Sequence, residues 1–151
     1  MMLAVQAHAG SSFRFWRPAR EEASLRSPAS AILEEVGLSG RRDVLAANLA
    51  HGEQRALEIA TALATRPRLL LLDEPVAGMG AEETQRMIAL LSSLKGGKTL
   101  ILVEHDMDAV FSLADRISVL VYGRIIATGA PEEIRANLEV RRAYLGEEIA
   151  A

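Results

Sequence analysis

The sequence contains no cysteine among its 151 residues. This absence excludes a disulfide framework, a thiolate zinc site and a cysteine nucleophile. Long apolar runs are also missing: Leu69–Leu72 is strand-sized, whereas a membrane-spanning helix needs about 20 apolar residues. The first ten residues lack the basic start and apolar core of a secretory signal. We therefore expect a cytoplasmic chain that does not itself span a membrane.

An excess of basic charge is missing as well. Lysine and arginine number 17 against 20 acidic residues, which gives a net charge of −3 and a pI near 5.7. Nucleic-acid-binding domains usually carry a strongly basic face, so no nucleic-acid partner is expected. Aromatic residues make up only 4%. Half of them, Phe13, Phe15 and Trp16, lie in an aperiodic first segment and are expected to pack on a neighbouring surface.

What is present is typical of one globular domain, with 50% hydrophobic and 25% charged residues. Apolar spacing predicts a helix over Glu21–Val36, in which Pro28 starts a new turn capped by Ser27 and Gly37 ends the helix. A second helix is predicted over Glu53–Ala64, before Pro67 prevents its continuation.

Beyond residue 68 the pattern changes to strands alternating with helices. Leu69–Leu72 and Thr99–Val103 are predicted as buried strands, the first one buried on both faces. The remaining predicted elements are helices Ala81–Leu94 and Met107–Ala114, strand Ile117–Tyr122, and a hairpin through Tyr122-Gly123-Arg124 into Ile125–Thr128. Strands separated by helices pair in parallel, and a terminal hairpin adds an antiparallel edge. The predicted fold is α/β, a mostly parallel sheet with flanking helices.

Two of the predicted strands end in acidic sequences, at the edge where α/β folds collect functional groups. Asp73-Glu74-Pro75 follows four leucines. An aspartate there can hold Mg²⁺ while the next carboxylate serves as general base toward water; the alternative is two acids that merely cap the loop. Glu104-His105-Asp106 follows the next strand, where parallel pairing would place the imidazole of His105 beside the Asp73-Glu74 pair. Taken alone, that histidine is as consistent with an ordinary polar residue.

A third segment, Asn48-Leu49-Ala50-His51-Gly52-Glu53-Gln54-Arg55, lies directly before a predicted helix. Small residues at a helix start expose backbone N–H groups, which together with the helix dipole can bind phosphate. An ordinary helix start with Gly52 near the cap explains the segment equally well.

Together the three segments resemble the ATP-binding subunit of ABC transporters, from about Glu21 to the end of the chain. The run L-A-H-G-E-Q-R resembles the family signature, L-L-L-L-D-E-P its Walker B strand with the catalytic glutamate, and His105 its switch histidine. The signature glycine precedes the Walker B aspartate by 21 positions (73 − 52), and the histidine follows the glutamate by 31 (105 − 74).

The resemblance implies a role for each of these residues. Asp73 would help to hold Mg²⁺, Glu74 would polarise the hydrolytic water, and His105 would contact the γ-phosphate of ATP. The signature residues would contact nucleotide bound to a partner subunit, and a loop at the dimer interface would follow Walker B. The signature residues are Leu49, Ala50, His51, Gly52 and Glu53, and the dimer-loop residues are Ala77, Gly78, Met79 and Gly80.

The resemblance also implies an organisation and partners. Residues 1–48 would form part of a helical subdomain, 49–128 the signature helix with the Walker B and switch half of a P-loop ATPase core, and 129–151 a helical tail. Partners would be a second ATPase subunit, identical or different, and membrane permease subunits that hold the chain at the inner face of the cell membrane. The run L-A-H-G-E-Q-R-A-L-E-I-A, the sequences A-G-M-G and E-H-D-M-D, and the tail around Ala143-Tyr144-Leu145-Gly146 resemble the branched-chain amino acid importers.

The chain departs from the family pattern in three places. Ala50 stands where the signature usually has a serine, and Gly80 where the dimer loop usually ends in aspartate. The Walker A sequence G-x-x-x-x-G-K-[S/T] is absent, because Gly97-Lys98-Thr99 would need a glycine at position 92, which is Ser92. We therefore expect the carboxyl-terminal part of a subunit, inactive in ATP hydrolysis by itself. Two alternatives stay open: a non-enzymatic module that pairs with a complete subunit, and an ABC ATPase of chromosome maintenance or translation.

Overall fold

The computed structural model describes residues 1–9 and 22–145 of the chain. The chain divides into two compact units, Met1–Glu104 and His105–Ala151. The predicted packing of Phe13, Phe15 and Trp16 falls outside the described residues. Within them, no helix is both long and apolar enough to cross a membrane.

The first unit opens with two helices that pack together. Helix α1, Met2–Ala9, was not predicted, because its apolar residues follow no single face. Helix α2, Ala23–Glu35, runs straight through Pro28, so the prediction of a new turn capped by Ser27 is wrong. Proline costs the helix one backbone hydrogen bond, and burial of α2 against α1 in one apolar cluster offsets that loss. Gly37 ends the helical segment with a φ of +75°, as predicted.

Two 3₁₀ turns, Ser39–Arg41 and Ala46–Asn48, lead to helix α3, His51–Leu63. The predicted start at Glu53 is two residues late. Ala50 occupies the N-cap position without a side-chain acceptor, so the usual Ser, Thr, Asp or Asn signal is missing there. Glu53 supplies the compensating contact, because its Oε2 accepts a hydrogen bond from the Ala50 amide at 3.0 Å.

Strand β1, Leu69–Asp73, helix α4, Ala81–Leu94, and strand β2, Thr99–Val103, complete the unit. The strands pair in parallel with Leu69 opposite Thr99 and Asp73 opposite Val103, which confirms the predicted pairing. Leu70 is buried, but alternate residues of both strands form one exposed apolar face: Leu69, Leu71, Ile101 and Val103. The prediction that β1 is buried on both faces is therefore wrong, since no described element covers this second face.

The second unit contains helix α5, Met107–Leu113, strands β3, Ile117–Val121, and β4, Arg124–Gly129, helix α6, Pro131–Ala136, helix α7, Leu138–Val140, and a π-type turn, Arg141–Leu145. Strands β3 and β4 form the predicted antiparallel hairpin. Tyr122 and Gly123 have φ values of +47° and +76°, as a two-residue I′ turn requires. The hydrophobic core of this second unit consists of Ile117, Val119, Ile134 and Val140.

The strands form two separate two-stranded sheets, β1-β2 and β3-β4. The sequence predicted that these strands belong to one mixed sheet, and the structure differs on this point. Among the described residues, no further strand lies between β2 and β3 to join them by hydrogen bonds.

Candidate functional site

The carboxyl end of β1 carries the acidic pair. Asp73 is the last residue of the strand and Glu74 follows it, both exposed. The Glu74 amide still donates to the Val103 carbonyl at 2.8 Å, so the position is fixed by the parallel ladder. Glu74 has a φ of +46°, in the left-handed region that costs a non-glycine residue about 1–3 kcal/mol and is concentrated at functional sites.

The loop that follows, residues 75–80, contains the predicted dimer-loop residues Ala77, Gly78, Met79 and Gly80 and is called the dimer loop after them. It folds into a compact turn in which the Ala77 amide donates to the Glu74 carbonyl at 3.1 Å and the Met79 amide to the Val76 carbonyl at 3.3 Å. The Val76 amide donates to Oε1 of Glu104 at 3.0 Å. Sequence reasoning missed Glu104 as a site residue, although its position at the end of the neighbouring parallel strand was a usable signal.

The start of helix α3 lies against this loop. Leu49 is buried, whereas Ala50 and His51 are exposed. Nε2 of His51 lies 3.2 Å from the carbonyl oxygen of Ala77. The structure therefore brings the predicted signature segment and the dimer loop into direct contact within one unit.

Gly52, the second residue of α3, lies under helix α4. A Cβ placed on Gly52 would stand 3.1 Å from Oε1 of Glu83 and 3.3 Å from its Cβ. Such distances are tighter than ordinary van der Waals contacts, so a side chain at position 52 forces Glu83 to shift. Glycine therefore avoids this displacement of Glu83, and it also leaves the helix start accessible to a phosphate.

Glu53 is held by a cation that the sequence did not single out. Nε of Arg41 donates to Oε1 of Glu53 at 2.7 Å. This hydrogen bond, and then the one from the Ala50 amide, lower the pKa of the Glu53 carboxyl below its ordinary value of 4.5. The carboxylate thus stays charged at the helix start, where negative charge also interacts favourably with the helix dipole.

A magnesium ion fits Asp73 in one particular way. No group of three or more His, Asp or Glu side chains that could hold a metal exists among residues 1–9 and 22–145, so a cage made of protein ligands alone is not formed there. Mg²⁺ is usually bound by one or two carboxylates together with substrate phosphates. The exposed carboxylate of Asp73 at a strand end suits that second arrangement.

His105 is the first residue of the second unit and is exposed. It is followed by Asp106, whose Oδ1 accepts a hydrogen bond from the Ala109 amide at 2.9 Å and so caps helix α5. His105 therefore lies directly before a capped helix start. Its proximity to Asp73 and Glu74 stays a prediction.

Comparison with known proteins now adds to this geometry. Residues 4–77 match the ABC transporter family, and residues 124–150 match the branched-chain amino acid ATP-binding cassette transporter family. The chain is 46% identical over 134 residues to LivG of Salmonella typhimurium, a high-affinity branched-chain amino acid transport ATP-binding protein, covering 87% of the chain and 52% of LivG. It is 42% identical over 154 residues to the corresponding BraF of Pseudomonas aeruginosa, covering 97% of the chain and 60% of BraF.

A solved structure agrees. The ADP conformation of MJ1267, an ATP-binding cassette of an ABC transporter, aligns with a TM-score of 0.78 and 28% identity over 97% of the chain and 61% of MJ1267. The chain spans about half the length of the curated LivG relatives that it matches. With two family models, these relatives and this structure in agreement, the chain belongs to the ATP-binding domain family of ABC transporters.

Proposed function

We propose that this chain is the signature and Walker B part of the ATP-binding subunit of an ABC importer for branched-chain or related amino acids. The observation that carries the proposal is the contact between the start of α3 and the dimer loop beside a strained Glu74. The similarity to LivG and BraF supports the substrate class.

The roles proposed for Asp73, Glu74 and His105 come from the resemblance of their motifs to those of the family. In the proposed site Asp73 holds Mg²⁺, which neutralises negative charge on the phosphates when it is bound. Glu74 accepts a proton from the attacking water as general base. His105 donates a hydrogen bond to the γ-phosphate.

The signature residues act on nucleotide bound to a second subunit. The backbone N–H groups in the first turn of α3, at His51, Gly52 and Glu53, point along the helix axis toward that nucleotide. Ala50 lacks the hydroxyl that a serine would offer. The missing hydrogen bond is worth about 0.5–1.5 kcal/mol, or up to about 3 kcal/mol to a charged group, so we expect weaker recognition rather than none.

The proposal includes partners and a location. A second ATPase subunit completes the nucleotide site, and permease subunits hold the assembly at the inner face of the membrane. A matched pair of variants tests the first partner: a complete LivG subunit is mixed with this chain, or with its Gly52→Asp variant, and association is measured by sedimentation velocity. We expect association in MgATP, none in MgADP, and loss with Gly52→Asp, because the added carboxylate repels phosphate. Equal association in all conditions would refute the signature role.

The substrate class has its own test. If the chain pairs with a complete branched-chain importer subunit, its expression in bacteria should lower leucine uptake in a dominant-negative manner. Methionine uptake in the same cells is the matched control, and Gly52→Asp should restore leucine uptake. Unchanged leucine uptake, with the chain shown to be expressed, would contradict the assignment to branched-chain importers.

A second candidate function is a module that binds a complete subunit without turning over ATP itself. Such a module needs only the start of α3 and the dimer loop, which are in contact through His51 and Ala77. Both candidates predict no ATP turnover by the chain alone, so the assay that separates them mixes the chain, or its Glu74→Gln variant, with a complete subunit. Lower turnover with Glu74→Gln would favour a fragment that contributes to catalysis, and equal turnover with both would favour a role in pairing only.

A further inference from the structure

The side chain of His51 contacts the dimer loop of the same chain. Its Nε2 lies 3.2 Å from the Ala77 carbonyl, and a Cβ on Gly78 would stand 3.5 Å from the same nitrogen. Gly78 has a φ of +72°, so a residue with a side chain would be strained there. The ring therefore lies against the backbone of the dimer loop at Gly78.

The chemistry of this contact fixes the direction of the hydrogen bond. A backbone carbonyl oxygen can only accept, so Nε2 of His51 must carry the proton. In the neutral ring Nδ1 is then the unprotonated nitrogen. His51 is thus a donor to Ala77.

The bonds of the dimer loop connect this contact to Glu74. The peptide of Ala77 accepts from His51 through its carbonyl, while the Ala77 amide donates to the Glu74 carbonyl at 3.1 Å. Only Ala77 therefore separates the histidine from the backbone of the proposed general base. A displacement of the α3 start would reach Glu74 through this short chain of hydrogen bonds.

We propose that His51 is a positioning residue that ties the start of helix α3 to the dimer loop and so fixes the backbone of Glu74. The inference rests on the proposed function for its consequence: engagement of residues 50–53 with a partner's nucleotide stabilises the loop conformation that holds Glu74. A nucleotide that contacts residues 50–53 shifts the loop between conformations only if it binds one conformation more tightly than the other. In this proposal the His51–Ala77 hydrogen bond causes that difference, because it joins the start of α3 to the loop.

Three variants separate the hydrogen bond from simple packing. His51→Phe keeps a ring and removes the donor, His51→Gln keeps an N–H at the same distance along the side chain, and His51→Ala removes both. The measurement is amide hydrogen exchange at Ala77 and Met79, whose N–H groups are bonded within the loop. With the chain alone and no nucleotide, Phe and Ala should speed exchange by about 2- to 10-fold, the range of a typical net hydrogen bond, and Gln should restore the original rate.

Several results would overturn the proposal. Equal exchange in all four proteins, or slow exchange retained by Phe and lost only in Ala, would mean that the hydrogen bond does not hold the loop. A ¹⁵N spectrum of the imidazole with the proton on Nδ1 would do the same. Thermal melting of each variant shows whether faster exchange is confined to the loop or reflects global unfolding; in the latter case His51 is structural and not a positioning residue.

A second arm separates this inference from the proposed function. A complete LivG subunit with MgATP is added, and exchange at Ala77 and Met79 should slow in the original chain and less so in His51→Phe. If no slowing occurs in the original chain, contact with a partner's nucleotide fails as a function. The nucleotide-free comparison of Phe with Gln still decides the role of His51.

Discussion

The side chain of Glu83 lies directly over Gly52, so that a Cβ on this glycine would stand 3.1 Å from Oε1 of Glu83. The start of the signature helix α3 is thus packed against the first turn of α4. Because the nearest atom is the mobile end of a glutamate, the packing itself can yield. In the proposed site, phosphate approaches the same helix start, where a side chain at position 52 would occupy its space.

Gly52→Ala should therefore separate stability from recognition. Alanine favours a helix over glycine by about 0.5–1 kcal/mol, which offsets the cost of moving Glu83, so the free energy of unfolding should change by no more than about 1 kcal/mol. MgATP-dependent association with a complete subunit should fall, because a methyl group stands where phosphate must approach. Urea unfolding and sedimentation velocity measure the two effects.

Gly96→Ala is the matched control, since nothing lies within 4 Å of a Cβ at that position, its φ lies outside the left-handed region, and it belongs to neither the signature segment nor the dimer loop. It should leave both quantities close to the original. If both glycine variants reduce association equally, crowding at position 52 is not the cause.

Glu104 should prove important for the dimer loop. Glu104→Ala leaves the Val76 amide without its carboxylate acceptor, and an unsatisfied buried donor costs about 1–3 kcal/mol. Glu104→Gln keeps an oxygen acceptor at the same position and should lose less than about 1 kcal/mol. Urea unfolding of the two variants tests this, and equal destabilisation by Ala and Gln would mean that the hydrogen bond to Val76 contributes nothing.

Local patterns explain which parts of the fold were predictable. The leucine run of β1 and the spacing of α4 each determine their own element, and both appear close to the predicted bounds. Helix α1 was not predicted, because its apolar residues do not lie on a single face of the helix. The path of α2 through Pro28 depends on burial against α1, which no local signal encodes. The exposure of one face of β1-β2 depends on whether another element covers it, which the pattern of the strands themselves does not determine.

The residues of the candidate site likewise divide into those that a local pattern singled out and those that it missed. Asp73, Glu74 and Gly52 were identified because each belongs to a short contiguous motif. Glu83 was not, because Gly52 is 31 positions away (83 − 52) and a generic surface carboxylate gives no sign of such a contact. Glu104 was missed even though it follows the strand next to β1, because the sequence does not indicate its partner Val76, 28 positions away (104 − 76). The His51–Ala77 bond spans 26 positions and could not be inferred from the motif that contains either residue.

The ion pair of Glu53 predicts a pH effect with a definite sign. The pKa of this carboxyl is lowered below 4.5, first by the hydrogen bond from Arg41 and then by that from the Ala50 amide. A group with a depressed folded-state pKa stabilises the fold above its unfolded pKa, and that stabilisation is lost as pH falls through the lower folded value. The start of α3 should therefore remain capped below pH 4.5 and loosen only in more acidic solution.

Carboxyl ¹³C titration by NMR measures this directly. Arg41→Met should raise the pKa of Glu53 toward 4.5 without abolishing the contact to Ala50. Arg42→Met changes an adjacent arginine outside the ion pair and should leave the Glu53 pKa where it was. A similar rise in both variants would point to general charge loss rather than to the bond with Arg41.

The exposed face of the β1-β2 sheet should govern how the chain behaves in solution. Leu71 and Val103 are 70% and 61% exposed and lie on the same face as Leu69 and Ile101. Contiguous apolar patches of this kind mark association surfaces. Within residues 1–9 and 22–145, the outer edges of β1 and β2 pair with no further strand, and such edges favour association. We expect the chain to self-associate at micromolar concentration.

Leu71→Glu should shift this equilibrium toward the monomer by at least about tenfold, because burying a charge without a partner costs more than the 1.4 kcal/mol that a factor of ten requires. Leu45→Glu is the matched control, since Leu45 is equally exposed at 72% but does not lie on this sheet. Sedimentation equilibrium of the three proteins decides the matter. If both variants lower association to the same extent, added negative charge is responsible and the sheet face is not the surface. If neither does, other apolar residues drive association, and the uncovered face of β1 and β2 is tolerated in water.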